Sequence, residues 1–355
     1  MLLIMGFFAM KIDRDAALHL IERDTSLKTG WQHADPVLRR NWHQARARLE
    51  FRHSNSSPDG HYRSYGNLIL HPAIAMARWG LRMTRLKEHY RALAHDIRLI
   101  DLELVRPDLP AGLDGYRILH ITDPHFDDAH GLARHIVDLV TGAPDGRSLD
   151  LCVITGDLRV RSRGPFIETG ILRDLEILLK GLACRDGFLL TLGNHDTHEM
   201  VAPVEAMGLR ILTNECAVVR RDGAVLVIVG LDDVHRHYTD EAKVTLSRFK
   251  AADDRFGLAL VHSPEFAGEA AQAGIGLYLC GHTHGGQIRP FSDRPLVRHL
   301  RRHHDLVQGT WRIGEMDGYT SPGAGTSGLP LRVRCPGEVT VITLRKGQGQ
   351  HKPSR

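Results

Sequence analysis

Gly281-His282-Thr283-His284-Gly285-Gly286-Gln287 follows an apolar run, Ile275 to Cys280. The run predicts a short buried strand. The glycines after it predict a sharp turn that leaves space around the two imidazoles. One residue separates His282 from His284. In turn-like backbone the two rings can reach different points of one pocket, which suits two metal ions better than one. The other strand ends of the chain are therefore the places to look for further ligands.

Five apolar runs end in chemistry-bearing residues. Tyr116–Thr122 leads into Asp123-Pro124-His125, and Leu151–Thr155 into Gly156-Asp157. Phe188–Leu192 leads into Gly193-Asn194-His195-Asp196, Gly257–Val261 into His262-Ser263-Pro264, and Leu277–Cys280 into the opening motif. Strands are also predicted at Val225–Leu231 and Val339–Leu344, with helices at 129–139, 170–182, 240–250 and 264–273. Ser263 caps the last helix and Pro264 opens it. Strand–helix alternation predicts an α/β domain whose carboxyl strand ends gather ligands. Asp123, His125, Asp157, Asn194, His262, His282 and His284 make seven ligand candidates. Carboxylate, amide and imidazole donors without thiolate favour Mn, Fe, Zn or Ni. Two such ions about 3.5–4 Å apart activate a water and neutralise phosphate oxygens.

The order DxH, GD, GNHD, H, GHxH resembles the calcineurin-like metallophosphoesterase family, over Tyr116 to about Leu344. The stretch Ser321–Pro330 is similar to a bacterial phosphodiesterase subgroup related to UDP-2,3-diacylglucosamine pyrophosphohydrolases of lipid A synthesis. The resemblance implies a four-layer α/β/β/α sandwich with two divalent ions, manganese first among the candidates. It implies hydrolysis of phosphodiester or pyrophosphate bonds by a hydroxide bridging the two ions. Asp123, His125 and His284 resemble ligands of the first ion. Asn194, His262 and His282 resemble those of the second, and Asp157 the bridging carboxylate. His195 resembles the imidazole that faces the substrate phosphate, and Asp196 the carboxylate that orients it; Asp196 also reads as a turn carboxylate holding its own backbone. Two positions depart from the pattern. Pro124 stands where the subgroup more often has Leu, and His195 where the commoner lipid A branch carries Arg. The glycines of the opening motif read as room for a phosphate.

The chain has 355 residues and a net charge of +4. Residues 1–110 hold 17 Lys+Arg against 12 Asp+Glu, and the remainder 29 against 30. The basic excess lies in the N-terminal part, and neither balance demands nucleic acid. That part reads as a mainly helical basic extension, residues 1–110, before a catalytic domain at 111–348 and a disordered tail at 349–355. A helix from Asp35 to Phe51 opens on Pro36, and the segment from Pro107 to Gly115 reads as a linker. Ile69–Ile100 reads as one or two basic amphipathic helices, packed on the domain or lying on a membrane surface. Arg289, Arg294 and Arg298, in the arginine-rich segment ending at Arg312, are candidate contacts for an anionic or lipid-phosphate substrate. That segment reads as a loop or short helix at the site mouth. The apolar run Leu2–Ala9 is too short to span a bilayer and lacks signal-peptide flanks, and Met10 is an alternative start. Cys152 and Cys280 lie in apolar runs and no CxxC pair occurs, which fits a reducing compartment. The expected location is the cytoplasm, with peripheral contact at the inner membrane surface. The competing readings are cleavage of UDP-2,3-diacylglucosamine itself and a non-catalytic metal-binding scaffold.

Overall fold

The computed structural model describes residues 35–55, 96–129, 131–143, 148–160, 168–289, 295 and 300–347. Helix α1 (Pro36–Asn55) precedes β1 (Ile97–Arg106), β2 (Arg117–Ile121), α2 (Leu132–Thr141), β3 (Leu151–Thr155), α3 (Glu168–Gly181) and β4 (Phe188–Thr191). Then come α4 (Val201–Glu205), β5 (Arg210–Ile211), β6 (Glu215–Arg221), β7 (Ala224–Gly230), α5 (Glu241–Arg248), β8 (Arg255–Leu260), α6 (Ala267–Gln272) and β9 (Leu277–Cys280). Strands β10 (Gly309–Ile313), β11 (Met316–Thr320) and β12 (Gly337–Lys346) close the described chain.

The strands form two six-stranded sheets, ordered β1-β12-β2-β3-β4-β5 and β10-β11-β9-β8-β7-β6. Strands β2 to β5 run parallel, and so do β7, β8 and β9. The two-residue period of a strand sends alternate side chains to opposite faces. On β3, Leu151 and Val153 enter the core between the sheets, while Cys152 and Ile154 pack with α2 and α3. On β8, Leu258 and Leu260 enter the same inter-sheet core, and Ala259 packs with α5 and α6. Helices, sheet, sheet and helices therefore form four layers, in the arrangement the resemblance implies. The length of the runs explains their legibility: strands buried on both faces read as continuous apolar segments.

Three readings of the sequence are corrected. Ile97–Arg106 is a strand, paired in parallel with β12 from Ile97↔Gly337 to Arg106↔Lys346. It is neither the end of an amphipathic helix nor part of a separate extension. Residues 69–95, where the rest of that helical reading falls, lie outside the described residues, as does the tail 349–355. The segment from Pro107 to Gly115 is no open linker. It carries the short helical turn Ala111–Leu113, and Leu109 and Leu113 are fully buried in the inter-sheet core. The predicted helix at Pro36 is present and runs to Asn55. The arginine-rich segment contains β10, a hairpin partner of β11, where a loop or short helix was expected. No helix among the described residues is long and apolar enough to cross a membrane.

The inter-sheet core also holds an ionisable side chain. His120 of β2 is fully buried, its Nε2 lies 2.9 Å from Thr155 Oγ1, and its ring meets that of Tyr319. Burial alone pushes its pKa down to about 3. Below its unfolded value of about 6.5 the unfolded chain binds a proton that the folded chain refuses, so stability falls with pH from there toward 3. Urea unfolding at pH 7 and pH 5 should show His120→Gln losing roughly 2 kcal/mol less than the parent over that interval. Equal losses would mean the imidazole is not held neutral in the core. Leu113→Ala should lower the unfolding free energy by about 2–5 kcal/mol; a linker leucine would change it by less than about 0.5 kcal/mol.

Candidate metal centre

The carboxyl ends of β2, β3 and β4 in one sheet and of β8 and β9 in the other converge. Backbone bonds between the loops fix this meeting. Asp123 N donates to Gly156 O at 3.1 Å, His125 N to Asp157 O at 3.1 Å, and Gly281 N to His262 O at 2.8 Å. Asp123 Oδ2 accepts from His282 N at 2.9 Å and from Thr122 Oγ1 at 2.7 Å. Asp157 Oδ1 accepts from His195 N at 2.8 Å. All seven predicted ligands are buried and come together.

Tautomers decide what this cluster can hold. A carbonyl oxygen only accepts, so an imidazole nitrogen beside one carries the proton. His125 Nδ1 lies 2.9 Å from Arg159 O, and His262 Nδ1 lies 2.8 Å from Thr155 O. Their Nε2 lone pairs therefore point inward. His125 Nε2 meets His284 Nε2 at 3.3 Å, and His284 Nε2 lies 3.6 Å from Asp123 Oδ1. That carboxylate oxygen is buried and has no hydrogen-bond donor among the described residues. His262 Nε2 faces Asn194 Oδ1 at 3.1 Å, His282 Nδ1 at 3.2 Å and Asp157 Oδ2 at 3.4 Å. Where these nitrogens present lone pairs rather than protons, they and the oxygens beside them repel one another unless a cation lies between them.

Two overlapping ligand groups result, Asp123–His125–His284 and Asp123–Asp157–His262, each with its donor atoms within 4.8 Å of one another. The residues present thus fit divalent cations. Asp123 belongs to both groups, a place the sequence reading reserved for Asp157. Asp157 Oδ2 nevertheless also stands between the groups, 4.0 Å from His125 Nε2 and 3.4 Å from His262 Nε2.

The electrostatics agree. Burial opposes ionisation of Asp157, but His262 and His195 beside it hold it well below the usual carboxylate range. Burial likewise disfavours charge on His262, yet Asp157 and Asp123 push its pKa up to about 10. Burial, reinforced by Asp157, raises Asp123. Burial, with His235 and His262 nearby, holds His282 well below its ordinary value. One proton on His262 thus occupies, without metal, the position of surplus negative charge that a divalent cation neutralises more fully.

The backbone carries strain here. Asp123, His125, Asp157, His282 and His284 all have positive φ, between 46° and 73°. Such conformations are sparsely populated for side-chain-bearing residues and persist where surrounding structure holds them for function. The glycines serve the ligands. A Cβ on Gly281 would lie 2.2 Å from Asp123 Oδ2, and one on Gly193 would lie 2.1 Å from Asp157 Oδ1. One on Gly285 would meet Gln308 Oε1 at 2.6 Å and Cys335 Sγ at 2.8 Å, so that space is filled by protein where room for a phosphate was expected.

His195 sits at the edge of the cluster. Its Nδ1 lies 2.5 Å from Val160 O, its Nε2 3.9 Å from Asp157 Oδ2, and its side chain is 18% exposed. Burial lowers its pKa to about 4. Asp196 does not touch that ring. Its Oδ2 accepts from Asp157 N at 2.7 Å and Gly193 N at 2.8 Å, and its Oδ1 from Leu158 N at 2.9 Å. It holds the loops together, as the turn-carboxylate reading has it, and the Val160 carbonyl orients His195. Arg289 folds back, donating to Gly285 O at 2.6 and 2.8 Å. Arg294 and Arg298 lie outside the described residues. The sequence reading missed His235, whose ring centroid is 4.4 Å from that of His282, and Arg46 of α1, which bonds Gly193 O and Asp196 O. Arg46 stands in a cluster of five arginines, with nothing local to single it out.

Residues 116–286 match the family model of the calcineurin-like phosphoesterases. The chain is 30% identical over 247 residues to an uncharacterised metallophosphoesterase of Bacillus subtilis, an alignment covering 67% of this chain and 82% of that one. It is 28% identical to an uncharacterised metallophosphoesterase of Aquifex aeolicus, over 68% of this chain and 88% of the relative. A zebrafish transmembrane protein with a metallophosphoesterase domain is 27% identical over 70% of this chain, which spans only 57% of that relative's length. With all seven convergent donors inside the matched span, the chain belongs to the calcineurin-like metallophosphoesterase family of phosphoester hydrolases.

Proposed function

We propose that the protein is a dinuclear metal-dependent hydrolase of phosphodiester or pyrophosphate bonds. The observation that supports this reading is the convergence of buried carboxylate, amide and imidazole groups into two overlapping sets that could each hold a cation. Asp123, His125 and His284 would hold one ion, and Asn194, His262 and His282 the other, with Asp157 between them. Manganese fits this mixed oxygen and nitrogen donor set, as do iron, zinc and nickel. When bound, the two ions supply an activated water and neutralise phosphate charge.

The chain's own groups do the rest. The carbonyls of Arg159 and Thr155 keep His125 and His262 in the tautomer that ligates, a task outer partners of metal-bound histidines commonly perform. Asp196 holds the Asp157 and Gly193 backbones in register. His195 keeps one proton on Nδ1, against Val160 O, while its Nε2 stands 3.9 Å from Asp157 Oδ2 at the partly exposed edge of the cluster. A substrate anion beside Nε2 favours a second proton there, which the ring then delivers to the leaving oxygen. Arg236, half-buried, lies near enough to lower the pKa of His195 and adds positive field where a phosphate would approach. The lipid-linked nucleotide substrate has less support. Of the three arginines invoked for it, Arg289 is engaged with Gly285 and Gln308.

Asp157→Asn and His282→Ala should each cut manganese-dependent hydrolysis of an aryl phosphodiester by at least about 100-fold. Full turnover in either variant would show the ligand assignment to be wrong. His195→Gln should retain both metal equivalents by elemental analysis while kcat falls about 10²–10⁴-fold. Lost metal in that variant would make His195 a ligand instead. Dialysis against a chelator should abolish activity, and added Mn²⁺ should restore it.

A further inference from the structure

Helix α1 lies outside the span matched by the family, residues 116–286, yet it reaches the back of the site. Arg46 enters from it with a side chain 0% exposed. Its Nη2 donates to Gly193 O at 3.0 Å and to Asp196 O at 2.7 Å. Its Nη1 donates to Asp232 Oδ1, and its Nε to Glu50 Oε1 at 2.9 Å. Trp42 Nε1 holds the other Asp232 oxygen at 2.7 Å. Glu50 in turn accepts from His198 N at 2.9 Å and pairs with His198 Nδ1 at 2.6 Å.

The two carbonyls that Nη2 grips belong to the first and last residues of Gly193-Asn194-His195-Asp196. Between them stand the amide that faces His262 and the imidazole at the site mouth. One nitrogen thus sets the span of the turn from behind, while the Asp196 carboxylate fixes it from the front through Gly193 N, Asp157 N and Leu158 N. Charge pairing alone would be satisfied by Asp232 and Glu50. The carbonyl bonds add no neutralisation; they hold the backbone on either side of Asn194 and His195. A planar guanidinium reaches carboxylate and carbonyls at once in fixed geometry, which an ammonium does not.

We propose that Arg46 is a positioning residue for Asn194 and His195, so that the N-terminal helix adds a support to the centre beyond those the family-matched span supplies. This rests on the reading of Asn194 as a ligand of the second ion. Ligand orientation by outer partners is commonly worth 10- to 100-fold in metal affinity or activity.

The test uses the full chain and Mn²⁺, with three variants. Arg46→Met removes all the bonds, and Arg46→Lys keeps the charge beside Asp232. Arg39→Met cuts the same helix loose elsewhere, since Arg39 bonds Glu215 at 2.6 Å and Glu205 at 2.8 Å. Equilibrium dialysis with metal analysis, kcat and KM on an aryl phosphodiester, and thermal unfolding are read for each. In Arg46→Met the first Mn²⁺ equivalent should stay tight and the second weaken by about 10- to 100-fold, with a matching fall in kcat and little change in KM. Arg39→Met should melt earlier yet bind both equivalents and keep kcat. The proposal is overturned if Arg46→Met binds both ions as the parent does, or if Arg39→Met loses the second ion equally. Should Arg46→Met not fold, Arg46→Lys decides: parent-like binding of the second ion in it, or failure of this variant also to fold, refutes positioning. A parent protein that binds fewer than two ions or is inert strikes the proposed function itself, a separate result.

Discussion

Two buried carboxylates and three imidazoles fall into two overlapping groups, each with its donor atoms within 4.8 Å of one another, and the rest of the site is arranged to make that tolerable. Removed from water, such a collection is repulsive unless positive charge fills it. Without metal, a proton on His262 supplies a share. Divalent cations supply more. Holding this charge-poor arrangement open requires rigid supports. The carbonyls of Arg159, Thr155 and Val160 fix the tautomers, and glycines at 193 and 281 let backbone approach the carboxylates. Five ligands sit in left-handed backbone that the neighbouring loops enforce.

The sandwich architecture makes this possible. Three ligand-bearing loops leave one sheet and two leave the other, so each half of the site has its own rigid platform. The core between the sheets ties the platforms together through Ile118, Val153 and Leu189 on one side and Leu258, Leu260 and Leu279 on the other. A ligand set drawn from both sheets depends on the spacing of that core. The N-terminal helix adds a third support. Arg46 reaches Gly193 and Asp196 from 147 and 150 residues away along the chain.

Much of the fold and most of the ligands were legible because their signals are local. A fully buried strand writes itself as an apolar run, and a ligand loop as a glycine beside Asp, Asn or His. What failed to show was set by partners elsewhere. Ile97–Arg106 carries Arg98, Asp101 and Glu103 between its apolar residues, so its edge-strand alternation was masked and its first residues, Ile97–Ile100, passed for the end of a helix. Leu109 and Leu113 lie among prolines and glycine, a composition that reads as linker until the inter-sheet core is seen to enclose them.

By itself the sequence determined that seven hard and nitrogen donors close five strands in an α/β chain, and hence that a metal-dependent hydrolase was to be expected. Only the tertiary structure decided how those donors face one another. It placed Asp123 in both ligand groups and turned Asp196 from the His195 ring to three backbone amides. It also folded Arg289 back on Gly285 and brought Arg46 behind the Asn194 turn. The physical reason is the range of the interactions. Propensity and burial pattern act over a few residues, whereas the direction of a lone pair or a guanidinium is set by whichever distant carbonyl or carboxylate the closed fold puts beside it.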